Sequence, residues 1–175
     1  MTITKGQKPA PTPCKKGQKG CKRNSIESAW KRAPSVPMDV TGGTAWAEED
    51  QFGTTGLGSC SFVVIFDDTY ILGAHIPPAR ANKDMVLTAT GTEVIDDHMQ
   101  RIDRYLPNVK KARNCVLVTA TTLDPDTLDH MRQKLAAKGL RCSEKRYDPT
   151  NVPQGGIFFL NRKSGVWPPK MVGPL

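Results

Sequence analysis

Two apolar runs separated by an acidic pair form the clearest pattern in the chain. The runs are SCSFVVIF, residues 59–66, and TYILGAHI, residues 69–76, with Asp67 and Asp68 between them. Both runs are rich in β-branched residues, which favour strands. The pattern therefore predicts a β-hairpin that turns at Asp67-Asp68.

The segment that follows the hairpin has apolar residues at the spacing typical of a helix. Residues 92–106 carry apolar side chains three and four positions apart, which predicts a helix. A second helix is predicted between Asp124, which can cap its first turn, and Gly139, which can end it. The apolar positions expected to face the core are Ile95, Met99, Ile102 and Leu106 in the first helix, and Leu128, Met131 and Leu135 in the second.

Strands are predicted on either side of the second helix. NCVLVTATT, residues 114–122, precedes it and GLRCSEKRY, residues 139–147, follows it. A closing hairpin is predicted over residues 155–169, with its turn near Lys163 to Gly165. The order of strands, helix, strand, helix and strands predicts an α/β (α+β) fold, in which a mixed, largely antiparallel sheet is layered with two main helices.

Positive charge is concentrated at the N-terminus. Residues 1–35 hold nine Lys or Arg and one Glu, whereas the rest of the chain holds sixteen basic and sixteen acidic side chains. Such a stretch buries too little apolar surface to offset its ordering entropy. We therefore expect a basic disordered tail over residues 1–37 and a folded domain over 38–175. The tail is either a solvated extension or an arm for an acidic partner or nucleic acid.

The five cysteines show no zinc-finger spacing and no disulfide framework. Cys115 and Cys142 are expected to be separate strand thiols. The odd count, the absence of a secretion-signal pattern and the absence of a membrane-length apolar window favour a soluble, cytoplasmic protein without membrane contact. No metal site is expected.

Cys60 and His75 are the candidate reactive pair. With a two-residue turn at Asp67-Asp68, Cys60 lies directly opposite His75 on one face of the hairpin. A four-residue turn makes them diagonal neighbours on the same face, and only an odd-length loop separates them onto opposite faces. In the first register Gly73 faces Phe62, which would leave open space beside the pair for a substrate.

A cysteine beside a histidine has a specific chemical use. The thiolate is the nucleophile, and a neighbouring imidazolium lowers the pKa of the thiol. The turn before Cys60 contains Gly58 and Ser59, whose backbone N–H groups could bind a developing oxyanion. A hydroxyl at Thr54 or Thr55 could orient the far nitrogen of the imidazole. The alternative interpretation is a buried core thiol and an unrelated strand-end histidine.

These residues carry a resemblance to a known family. GLGSC, an apolar strand, an acidic turn and a G-x-H segment resemble the bacterial chemotaxis-receptor glutamine deamidases (CheD). The C-terminal order of helix, strand, GG segment and closing hairpin is similar to the same family, so the likeness spans roughly residues 50–170. The Cys-to-His segment also resembles toxin deamidases of the cytotoxic-necrotizing-factor type.

The resemblance implies a site and a reaction. It implies Cys60 as nucleophile, His75 as general base and acid, and Thr54 as the residue that orients His75, with the oxyanion held near Gly58 and Ser59. The reaction would convert a glutamine of a substrate protein to glutamate with release of ammonia, without a cofactor. The IPPAR segment after His75 differs from the family pattern, so the substrate need not be a chemoreceptor.

Two other functions fit the same residues. The first is a non-catalytic binding or regulatory module of the same fold, in which Cys60 is unreactive. The second is a cysteine hydrolase that cleaves another amide or a peptide bond. Thiol reactivity separates deamidase from module, and ammonia release without backbone cleavage separates deamidase from the other hydrolase.

Overall fold

The computed structural model describes residues 36–45, 51–111, 113–151, 156–160 and 170–172. The predicted basic tail lies outside the described residues, apart from its last two positions. The first of these, Val36, is buried and its backbone N–H donates a hydrogen bond to the carbonyl of Gly53 at 2.8 Å. Val36 therefore packs with the folded domain.

The largest sheet has five strands. In spatial order they are β1 (Thr41–Ala45), β4 (Tyr70–Ile76), β3 (Ser61–Phe66), β7 (Asn114–Ala120) and β8 (Cys142–Tyr147). Neighbouring strands are antiparallel except for β7 and β8, which are parallel. The predicted mixed, largely antiparallel sheet is confirmed.

Both predicted helices are present. They are α1 (Gly91–Tyr105) and α2 (Pro125–Ala137), and short 3-10 turns cover Leu106–Asn108 and Pro149–Asn151. All seven apolar side chains predicted for the inner faces are buried. The Asp124 carboxylate accepts the backbone N–H of Thr127 at 2.9 Å, and Gly139 has the left-handed φ of +71° that suits a helix end. Within the described part of the chain, neither helix has the length and apolar character needed to cross a membrane.

Short strands complete the fold, and several of them were not predicted from the sequence pattern. A three-stranded sheet has the order β10 (Lys170–Val172), β9 (Gly156–Leu160) and β2 (Gln51–Thr55), and β5 (Ala79–Ala81) pairs with β6 (Leu87–Thr90). β9 and β10 are antiparallel, as in the predicted closing hairpin, but β10 lies just beyond the predicted range of 155–169. The predicted turn near Lys163 to Gly165 lies outside the described residues. β1, β2, β5 and β6 were missed because three to five residues carry little periodic signal.

The five-stranded sheet is buried on both faces. One face packs with α1 and α2 around Val63, Ile65 and Leu117. The opposite face packs a second apolar cluster whose members include Phe52, Leu57, Cys60, Phe62, Val64 and Tyr147. All six side chains of β3 are consequently buried, which explains why its sequence is apolar throughout.

The expectation of two separate strand thiols is wrong. Cys115 and Cys142 form a disulfide between β7 and β8. The parallel register of these strands pairs the two residues directly, which a sequence separation of 27 residues does not reveal. The cysteine count therefore no longer favours a reducing compartment, because structural disulfides are typical of oxidising ones.

Candidate functional site

The β3–β4 hairpin brings Cys60 and His75 to one face. Phe66 pairs with Ile71 and Phe62 pairs with His75, so the two-residue turn at Asp67-Asp68 is wrong and the four-residue alternative applies. Cys60 immediately precedes β3, two residues before Phe62, so continuing the strand places it on the same face as His75 and diagonal to it.

The side chain of Asp67 accounts for the longer turn. Its carboxylate accepts the backbone N–H groups of Thr69 at 2.7 Å and Tyr70 at 2.8 Å, and those of Lys110 and Lys111 at 2.8 and 3.0 Å. Burial would raise the pKa of Asp67, but these hydrogen bonds outweigh it and lower the pKa to about 2. The charged carboxylate thus holds the chain in a wider loop than a two-residue turn.

Thr54 contacts the imidazole of His75. Its Oγ1 lies 2.7 Å from Nδ1 of His75, and both side chains are fully buried. Thr54 belongs to β2 of the small sheet and His75 to β4 of the large one, so the contact joins the two sheets. Of the two threonines considered from sequence, Thr54 makes this contact, whereas Thr55 is exposed.

A carbonyl group decides the direction of the Thr54–His75 hydrogen bond. Oγ1 of Thr54 lies 2.6 Å from the carbonyl oxygen of Val36, which can only accept. The single hydroxyl proton of Thr54 is therefore donated to Val36, and Nδ1–H of His75 must donate to Thr54. In this tautomer Nε2 carries a lone pair and can act as a base.

Nε2 of His75 is buried and has no hydrogen-bond partner among the described residues. The ring of Phe62 packs edge-on to the imidazole, with centroids 6.4 Å apart. Burial lowers the pKa of His75 below its ordinary value, although the Val36 carbonyl acts in the opposite direction. His75 is thus a neutral base at neutral pH.

The space expected beside Gly73 is filled. Gly73 faces Val64 rather than Phe62. A Cβ atom at Gly73 would lie 2.8 Å from the ring of Phe52 and 2.9 Å from that of Phe62. The glycine therefore lets β2 approach β4 closely, which brings Thr54 within reach of His75, and it does not form a substrate channel.

Tyr147 holds the turn that precedes the nucleophile. Its buried hydroxyl contacts the carbonyl oxygens of Leu57 and Cys60, the latter at 2.6 Å. Gly56 adopts a left-handed φ of +73°, and the predicted turn residues Gly58 and Ser59 are exposed. Sequence reasoning missed Tyr147, because it ends a strand whose alternation gives no sign of a contact with the distant turn.

Cys60 itself is a buried thiol with an exposed fraction of 4%. Burial raises the pKa of the Cys60 thiol, against a lowering hydrogen bond from the backbone of Ser59. The expectation of a thiol already activated by an imidazolium is therefore wrong, because His75 is buried and neutral. Proton transfer from sulfur to Nε2 would have to accompany nucleophilic attack.

No cluster of three or more metal-ligating side chains occurs in the part of the chain that the structure describes. Comparison with protein-family models gives no match, and comparison with curated proteins gives none either. The local geometry of Cys60, His75 and Thr54 is therefore the basis on which a function can be argued.

Proposed function

We propose that this protein is a cysteine-dependent protein-glutamine deamidase, with Cys60 as nucleophile, His75 as general base and acid, and Thr54 as the residue that orients His75. The observation that carries the proposal is the hydrogen-bond chain from His75 Nδ1–H through Thr54 to the Val36 carbonyl. That chain leaves Nε2 unprotonated on the sheet face that Cys60 shares.

The reaction begins when Nε2 of His75 takes the thiol proton while the sulfur of Cys60 attacks the carboxamide carbon of a glutamine. Turn amides near Gly58 and Ser59 are suited to hold the resulting oxyanion. The imidazolium then protonates the departing nitrogen, so ammonia leaves and a thioester remains. Water, deprotonated by Nε2, hydrolyses the thioester to give glutamate and the free thiol.

The substrate is a glutamine side chain carried by another protein. It would approach from the side of Gly58 and Ser59, which are exposed and adjoin the buried Cys60 in sequence. The chemistry needs no cofactor. The segment after His75 differs from the corresponding segment of the chemoreceptor deamidases. The resemblance therefore does not identify the substrate protein, which has to be found by assay.

A binding or regulatory module of the same fold is the second candidate. Burial of Cys60 and the raised pKa of its thiol favour it, because an unreactive cysteine has the same features. A third candidate is a cysteine hydrolase acting on another amide. The three candidates differ in thiol reactivity, ammonia release and cleavage of the substrate chain, which two experiments measure.

The experiment measures ammonia released from an N-blocked glutaminyl-glycine dipeptide and from casein, together with the mass of the casein chain. We expect ammonia and Gln-to-Glu conversion with the wild type and neither with Cys60→Ala. New chain ends in casein would instead indicate a peptide hydrolase.

A substrate-independent measurement complements the assay. Iodoacetamide is a small carboxamide that can occupy the place of the glutamine side chain. We expect Cys60 to be alkylated faster at neutral pH in the wild type than in His75→Ala. Equal rates in both proteins, together with no ammonia, would contradict the deamidase and favour the binding module.

A further inference from the structure

The segment 36–40 is hydrogen-bonded both to the backbone of His75 and to Thr54, which contacts the His75 ring. At one end, Val36 is bonded to β2 through its own N–H and through the hydroxyl of Thr54. At the other end, Asp39 N–H donates to the carbonyl of His75 at 2.9 Å, and His75 N–H donates to the carbonyl of Val40 at 3.0 Å. This short segment therefore contacts the backbone of His75, and its Val36 carbonyl determines which ring nitrogen of His75 carries the proton.

Asp39 fixes this segment from outside the site. Its φ of 62° is left-handed, a conformation that costs energy for most residues and that Asp and Asn tolerate better. Nε of Arg80 donates to both carboxylate oxygens of Asp39, at 2.8 and 2.9 Å. Nε2 of the buried His98 lies 3.0 Å from Oδ1, and Nη1 of Arg101 donates to the Asp39 carbonyl at 2.9 Å.

Helix α1 anchors these partners. Asp97 forms ion pairs with Arg80 at 2.5 Å and with Arg101 at 2.7 Å, so it holds both arginines that contact Asp39. Burial would raise the pKa of Asp39, but hydrogen bonds from Arg80 and His98, together with the charge of Arg80, outweigh it and hold the pKa below its usual value. The carboxylate therefore remains charged and bonded throughout the neutral pH range.

We propose that Asp39 is a positioning residue for His75. Held by Arg80 and His98, it fixes the segment 36–40 so that the Val36 carbonyl accepts the Thr54 proton and His75 stays in the Nδ1–H tautomer. The catalytic consequence of this role rests on the proposed function. The tautomer of His75, by contrast, is a property of the folded protein that can be measured without substrate.

Asp39→Asn tests the carboxylate. Asparagine tolerates the left-handed backbone, so the change removes the charge while keeping size and conformation. In the wild type, 15N NMR of labelled histidine should show His75 protonated at Nδ1 and unprotonated at Nε2, with His75→Ala assigning the signals. In Asp39→Asn we expect a mixture of tautomers, because Thr54 becomes free to donate to Nδ1.

Activity and thiol reactivity should change with the tautomer. We expect Asp39→Asn to lower the rates of ammonia release and of Cys60 alkylation by roughly 10²-fold, as small displacements of catalytic groups do. The matched control is Asp103→Asn, which removes a carboxylate paired with Lys138 on the surface, at a side chain that is 54% exposed. This control should leave the His75 tautomer, alkylation and ammonia release unchanged.

Arg80→Lys serves if Asp39→Asn does not fold, since it keeps the positive charge but loses the two-point contact with Asp39. A folded Asp39→Asn or Arg80→Lys variant whose His75 tautomer and Cys60 alkylation equal those of the wild type would overturn the proposal. Absence of ammonia from the wild type would instead count against the deamidase and leave the tautomer result standing.

Discussion

Two buried histidines, each bonded to a threonine, are arranged in opposite ways. At His75 the ring nitrogen Nδ1 donates to Thr54, whose own proton goes to the Val36 carbonyl. At His98 the carboxylate of Asp39 accepts Nε2–H, so in the neutral ring Nδ1 accepts the hydroxyl proton of Thr41 at 2.8 Å.

The difference separates a reactive group from a structural one. Both nitrogens of His98 are occupied, so the ring joins α1 to the segment that carries Asp39 and Thr41 and has no lone pair left for chemistry. His75 has one nitrogen without a partner among the described residues, and the register places His75 on the same face of the hairpin as Cys60. Both rings contact a threonine, so that contact does not distinguish them. The difference comes from the nearby acceptor, which is the Val36 carbonyl beside Thr54 in one case and the Asp39 carboxylate beside the His98 ring in the other.

The largest expected effect concerns reactivity. His75→Ala should lower ammonia release by about 10²–10⁴-fold, the usual contribution of a general base. His98→Ala, assayed where it is folded, should lose far less, because its effect on catalysis passes only through Asp39. Equal losses in the two variants would break the comparison, since His98 would then share the catalytic role.

Stability should show the reverse order. His98→Ala should lower the free energy of unfolding by about 2–4 kcal/mol more than His75→Ala, because it leaves the buried Thr41 hydroxyl and the Asp39 carboxylate each without one partner. The two truncations remove the same ring, so the cavity left behind is similar. Urea unfolding of both variants at neutral pH measures the difference; a larger loss in His75→Ala would contradict the structural role of His98.

The two threonines should differ in the same direction. Thr54→Val keeps the shape but removes the group that connects His75 to Val36, so Cys60 alkylation should slow by roughly 10-fold or more. Thr41→Val removes only a hydrogen bond to His98 and should cost about 1 kcal/mol of stability with little change in alkylation. Matched alkylation rates in the two variants would show that Thr54 does not orient the base.

The smallest expected effect is on acid stability. Burial is the main cause that lowers the pKa of both His75 and His98 below 6.5, so the unfolded chain binds protons more readily than the folded protein. Stability is therefore complete above about pH 6.5 and falls as the pH drops below it, by at most about 1.4 kcal/mol per pH unit for each group.

Removing either ring should make this decline shallower. Urea unfolding of the wild type, His75→Gln and His98→Gln between about pH 7.5 and about pH 5.5 checks the slope, which follows the difference in bound protons. An unchanged slope in His98→Gln would mean that His98 is already protonated in the fold and bonded differently from the arrangement described above.

Much of the fold could be predicted from the sequence because its signals are local. The spacing of Ile95, Met99 and Ile102 defines the buried face of α1, and Asp124 and Gly139 define the ends of α2. The two-residue period of a strand put Cys60 and His75 on one face for any even-length turn, but the turn length itself was predicted wrongly because the Asp67 carboxylate binds distant backbone amides of Lys110 and Lys111.

The sequence alone determined the two helices and the central hairpin, because these depend on periodicity and on residues close in the chain. Only the tertiary structure decided which histidine has a ring nitrogen without a partner among the described residues. That choice depends on the Val36 carbonyl and the Asp39 carboxylate, which approach the two rings from 39 and 59 positions away in sequence. A hydroxyl has one proton, and its direction follows from the acceptor that the fold brings beside it.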